Sequence, residues 1–140
     1  MEDKKKVLFI CNHNAGRSQM AEAILNHRYG DRYKAFSAGI NPSESINSNT
    51  VEVLKEVGID VSDKKPKGIL PFLDDVFDVV AMTCECGNTC PMFPRHNTLI
   101  KVNFKDPYHF SGSKEEILKG FRGVREDISD WIDEYFKNNS

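Results

Sequence analysis

Cys11 and Arg17 stand five residues apart, and Ser18 follows directly, in the run Cys11-Asn12-His13-Asn14-Ala15-Gly16-Arg17-Ser18. A thiolate is a strong nucleophile, and a guanidinium grips two oxygens of a tetrahedral oxyanion through its planar fork. Five intervening residues let the chain curl until successive backbone N–H groups converge. At the start of a helix, the dipole adds positive potential to that turn. Asn12, His13, Asn14, Ala15, Gly16 and Arg17 are therefore the candidate oxyanion cradle. Cys11 lies at its base, with Ser18 placed to donate a hydrogen bond to the sulfur. Asn14 and Gly16 suit unusual backbone angles, since Asn tolerates the left-handed region and Gly has no Cβ. The plainer alternative makes Cys11 a small buried hydrophobe and Arg17 a surface charge.

A cradle of this kind needs a strand before it and a helix after it. Val7-Leu8-Phe9-Ile10 is a short continuous apolar run, as in a strand buried on both faces. Ser18 to Leu25 reads as a helix, with Met20, Ala21, Ile24 and Leu25 on one face and Gly30 as its stop. A second strand is expected over Tyr33 to Ala38, closed by Gly39. A helix capped by Ser48 or Asn49 should carry Val51, Val53, Leu54 and Val57 and end at Gly58. Ser62 to Pro71 reads as loop with a short helix after it, Phe77 to Met82 as a third strand, and Thr98 to Val102 as a fourth. Helical spacing from Ile117 to Phe136 predicts a long final helix. Strands alternating with helices predict an α/β three-layer sandwich around a four-stranded parallel sheet. In such sheets ligands bind beyond the carboxyl ends of the strands, where strand order reverses. The segments beginning at Cys11, Cys84 and Asp106 each follow a strand and should meet at one edge.

Composition narrows the function classes. The chain has 140 residues, expected to form a single domain over 1–140, with 39% apolar and 29% charged residues. Its formal charge of −2 gives no electrostatic reason to expect a nucleic-acid or membrane-surface partner. No apolar run approaches the roughly 20 residues needed to cross a bilayer. Met1 to Lys6 reads as a solvated charged end rather than a secretory leader, and the expected location is cytoplasmic. In a reducing compartment, four cysteines are catalytic, metal-binding or buried rather than a disulfide framework.

The run from Cys11 to Glu22, with Ser37-Ala38-Gly39 and Asp106-Pro107, resembles the low-molecular-weight tyrosine phosphatase superfamily. It is most similar to the arsenate reductases built on that fold, and the likeness runs along nearly the whole chain. The resemblance implies that Cys11 is the nucleophile, that Arg17 and the loop amides hold the oxyanion, and that Asp106 is the general acid. Taken alone, Asp-Pro is also a common turn starter. A carboxyl beside a bound oxyanion is favoured in its protonated form, as proton donation to a leaving oxygen requires.

The segment Thr83-Cys84-Glu85-Cys86-Gly87-Asn88-Thr89-Cys90-Pro91 separates two activities. Arsenate and phosphate are near-isosteric, but reducing arsenate takes two electrons, which two thiols supply by becoming a disulfide. The resemblance implies that Cys84 attacks the Cys11 sulfur and that a third thiol moves the disulfide to the surface for thioredoxin. The Asn-x-Cys-Pro ending favours Cys90 as that thiol. The Cys84–Cys90 spacing is one residue short of the usual form, and Cys86 is additional. Hence Cys86 is the alternative resolving thiol, and glutaredoxin or a low-molecular-weight thiol the alternative reductant. No bound cofactor and no metal are expected. Some relatives hold potassium near residues matching Asn14, Glu22 and Ser37; their further acidic ligand falls near Lys67 here, whose ammonium can replace the cation.

Other readings stay open. Cys84, Cys86, Cys90 and His96 are chemically sufficient for zinc, although C-x-C is tight around one tetrahedral ion. The thiols are incidental if the chain is a phosphatase of phosphotyrosine or a small phosphomonoester, and a non-enzymatic oxyanion or metal sensor could use the same loop. His13 is expected to shape the pocket, and His27, His96 and His109 to lie at the surface.

Overall fold

A computed structural model describes residues 4–14, 16–83, 94–105, 107 and 110–137. The chain runs β1 (Lys5–Cys11), α1 (Arg17–Tyr29), β2 (Tyr33–Gly39), α2 (Ser48–Lys55), a 3-10 turn (Leu70–Phe72), β3 (Val76–Met82), β4 (Arg95–Lys101) and α3 (Lys114–Phe136). All strand pairs are parallel, in the order β2-β1-β3-β4. The expected four-stranded parallel α/β sheet is thus observed. The order reverses between β1 and β3, so a ligand site belongs beyond the ends of those two strands. Cys11 closes β1 opposite Gly39, and Ile10 pairs with Met82 near the end of β3.

The continuous apolar run of β1 is explained by its place in the middle of the sheet. Val7 and Phe9 face one core with α1, α2 and α3, whereas Leu8 and Ile10 face a second core with Phe72, Phe77, Val80 and Met82. All four of these β1 side chains are fully buried. The layers have unequal weight: among the described residues, helices cover the first face and the 3-10 turn covers the second. On the helical face Phe9, Trp131 and Phe136 meet edge-to-face, fixing α3 against the sheet.

Several local expectations shift by a few residues. The α2 cap is Asn47, whose side chain accepts from Asn49 N–H, rather than Ser48 or Asn49. The helix ends at Lys55, and Gly58 closes the following turn at φ +82°. Ser113 and Glu116 form a reciprocal capping box that starts α3 at Lys114, ahead of the apolar periodicity. α1 is not amphipathic in its first half, because every residue from Arg17 to Leu25 is buried, including Arg17, Ser18, Gln19 and Glu22. Polar side chains buried at the start of a helix must satisfy one another, and here they build the site. No helix of the described residues is long and apolar enough to cross a membrane.

Candidate active site

The Cys11 carbonyl accepts from Ile40 N–H at 3.1 Å, that of Asn12 from Asn41 N–H at 2.8 Å, and that of His13 from Ser43 N–H at 2.9 Å. In a trans peptide the next N–H points opposite to the carbonyl, so the amides of residues 12 to 14 turn to the inner side of the loop. Asn14 N–H accordingly reaches Cys11 Sγ at 3.3 Å. Asn14 takes φ 52°, the left-handed region its side chain tolerates, as expected from its place in the loop. Gly16 caps α1 without a side-chain hydrogen bond, leaving the first-turn amides available to a ligand.

The sulfur has a second neighbour. Ser18 Oγ lies 2.8 Å from Cys11 Sγ and accepts from Asn14 Nδ2 at 2.8 Å, which leaves the serine proton available to a sulfur in its thiolate form. One backbone N–H and one hydroxyl thus stand within hydrogen-bond distance of the sulfur. Cys11 keeps 3% exposure at the base of the loop. Arg17 is 7% exposed and directs Nη1 to the Phe104 carbonyl at 3.3 Å, which removes the surface-charge alternative. His13 stands half-buried at the rim, with Nδ1 3.4 Å from the Asn41 carbonyl. Asn12 is half-buried beside it.

The structure brings Cys11, Asn12, His13, Asn14, Gly16, Arg17 and Ser18 to one turn. Ala15, Cys84, Cys86, Cys90, Asp106 and His109 lie outside the described residues. Their chain neighbours are described. Thr83, which precedes Cys84, is fully buried and bonds Ile10 O through both N–H at 2.8 Å and Oγ1 at 3.0 Å. Phe104 O receives Arg17, and Pro107 Cγ is 3.7 Å from where a Gly16 Cβ would stand. The zinc set of Cys84, Cys86 and Cys90 falls outside the described residues. Its fourth member, His96, is half-buried on β4 with Nδ1 2.9 Å from Pro94 O. Among the described residues no group of three His, Cys, Asp or Glu gathers for a metal. At the place suggested for potassium, the Lys67 ammonium stands 3.6 Å from Glu22 Oε1, which also accepts from Ser37 Oγ at 2.8 Å. That ammonium already supplies the positive charge a bound cation would bring, so the residues do not fit potassium.

Three contacts of the loop escaped the sequence reading, although Gly39 and the Lys67 ammonium were named there for other reasons. A Cβ on Gly39 would come within 2.9 Å of Asn12 O, Asn14 N and Asn14 Cβ, so only glycine lets β2 end against the loop. The Lys67 amide bonds Asn14 Oδ1 at 2.7 Å. Thr50 is fully buried, its hydroxyl has no partner among the described residues, and it lies 3.8 Å from the position of a Gly16 Cβ. All three lie far from the loop in sequence, and no local spacing signals them.

The chain as a whole is matched by known proteins. The family model described as low molecular weight phosphotyrosine protein phosphatase covers residues 6–138. The chain belongs to this family. Within it, the arsenate reductase of Bacillus subtilis is 35% identical over 134 residues, covering 95% of this chain and 96% of that protein. A solved arsenate reductase in a phosphate-binding state superposes with a TM-score of 0.81 at 30% identity, covering 97% of this chain and 99% of the other. A thioredoxin-dependent arsenate reductase of Corynebacterium glutamicum superposes with a TM-score of 0.61 at 32% identity, covering 94% of this chain and 63% of that one.

Proposed function

We propose that the chain is an arsenate reductase that draws its electrons from its own thiols and is restored by an external thiol reductant. The observation that carries the reading is the Cys11 sulfur, held by Asn14 N–H and Ser18 Oγ at the base of an amide-lined turn. The kinship to arsenate reductases selects arsenate among tetrahedral oxyanions.

In this account Arg17 and the loop amides from Asn12 to Arg17 hold arsenate over Cys11. The Cys11 thiolate attacks arsenic, and a hydroxyl leaves as water with the proton of Asp106. Cys84 then attacks the Cys11 sulfur. The electron pair of the S–As bond passes to arsenic, which departs as arsenite, and a Cys11–Cys84 disulfide remains. A third thiol, Cys90 or its alternative Cys86, attacks Cys84 and frees Cys11. Thioredoxin, or a glutaredoxin or small thiol, supplies two electrons to the resulting disulfide. Two features of the described chain support these assignments. Thr83 anchors the root of the cysteine segment on Ile10, one residue before Cys11. Residues on both sides of Asp106 reach the loop, Phe104 at Arg17 and Pro107 near Gly16.

The second reading, supported by the family as a whole, is hydrolysis of a phosphate ester on the same loop. One assay separates them: arsenate with thioredoxin, thioredoxin reductase and NADPH. NADPH consumption that requires arsenate, and that Cys84→Ala abolishes, supports reduction. No consumption alongside rapid aryl phosphate hydrolysis overturns it.

A further inference from the structure

The segment 65–68 belongs to no strand or helix, yet it is bolted to the thiol loop at several points. Lys67 N–H donates to Asn14 Oδ1 at 2.7 Å, and Gln19 Nε2 donates to Lys65 O at 3.3 Å. Gly39 N–H donates to Lys67 O at 2.7 Å, and Gly39 pairs with Gly68. The Lys67 side chain reaches under the loop to Glu22, whose side chain is 9% exposed.

Hydrogen-bond polarity gives this strap a role beyond packing. A backbone N–H can only donate, so its bond to Asn14 fixes which end of that amide is oxygen. The Nδ2 end must then face Ser18 and donate to its hydroxyl, which is left with its single proton for the Cys11 sulfur. The strap thus sets the orientation of the Asn14 amide twice, through Lys67 N–H and through Gln19 Nε2, which donates to the same Asn14 Oδ1 at 2.9 Å and to Lys65 O. Charge supplies the anchor. A carboxylate this buried is costly without a cation, and among the described residues Lys67 is the partner of Glu22.

We propose that Lys67 is a positioning residue. Its ammonium, held by Glu22, is the resident cation beneath the oxyanion loop, and its amide orients the Asn14–Ser18–Cys11 chain. Oxyanion binding is then independent of which alkali cation is in solution. The inference rests on the loop being an oxyanion site, but not on whether arsenate is reduced or a phosphate ester hydrolysed.

The test titrates the full chain with inorganic phosphate by calorimetry, at matched ionic strength in potassium, sodium and choline chloride, with Tm recorded in each. The expected result is one affinity and one Tm in all three salts. Lys67→Met should weaken phosphate binding about tenfold and slow Cys11 alkylation at neutral pH, and Lys67→Arg should restore both. Several-fold tighter phosphate binding in potassium than in choline overturns the proposal. So does a Lys67→Met chain with wild-type affinity and alkylation rate. If Lys67→Met does not fold, the Glu22→Gln, Lys67→Met double variant, which removes both charges, is measured in its place with the same expected loss. A chain that binds phosphate as described but never reduces arsenate sinks the proposed function and leaves this inference standing.

Discussion

The chemistry of the site turns on where one hydroxyl proton points. Ser18 Oγ accepts from Asn14 and keeps its proton for a Cys11 thiolate. Ser18→Ala removes one of the two donors on the sulfur and leaves Asn14 Nδ2 buried without its acceptor. A lost charge-assisted hydrogen bond is worth about 1.5–3 kcal/mol. Alkylation of Cys11 by iodoacetamide at neutral pH is therefore expected to slow by about tenfold or more, with Ser18→Thr close to wild type. An unchanged rate would show that the serine does not act on the sulfur. Gly39 makes the matching steric argument. A methyl group there meets three loop atoms at 2.9 Å, two of them backbone. Gly39→Ala should weaken phosphate binding far more than it lowers Tm, since the collision is with the loop and not with the core.

At the scale of elements, what local sequence determines was legible, and what distant segments determine was not. The spacing of Cys11, Arg17 and Ser18 between an apolar run and a helix sufficed to place them in one turn, because strand, turn and helix are contiguous. The start of α3 was less legible: Ser113 and Glu116 act through a capping box with no apolar signal of its own. The α2 cap was misplaced by one or two residues because Asn47, Ser48 and Asn49 are all good caps, and only the observed Asn47 bond to Asn49 N–H separates them. Lys67 and Gly39 were illegible as loop supports, since Lys67 meets Asn14 across 53 positions of chain. Two glycines of α3 show how packing overrides propensity. Gly123 has open space around its missing Cβ, so Gly123→Ala should stabilise by about 0.5–1 kcal/mol. At Gly120 a Cβ would stand 2.5 Å from the Phe110 ring, so the same change should lower Tm. Equal effects of the two in thermal unfolding would contradict the packing of residue 110 on α3.

For the whole molecule, sheet order decides where chemistry can occur. Reversal between β1 and β3 leaves a crevice at their carboxyl ends, and the thiol loop leaves one of those ends while the cysteine segment follows the other. In the proposed mechanism, the fold thus sets the loop of the nucleophile and the root of the cysteine segment at adjacent strand ends. The most direct measurement is a turnover of the fully reduced chain with equimolar arsenate and no reductant, followed by arsenite determination and disulfide mapping. The account predicts stoichiometric arsenite, a disulfide joining Cys84 to Cys86 or Cys90, a free Cys11, and no arsenite from Cys11→Ser. Arsenate recovered intact from a chain that rapidly hydrolyses an aryl phosphate would contradict it.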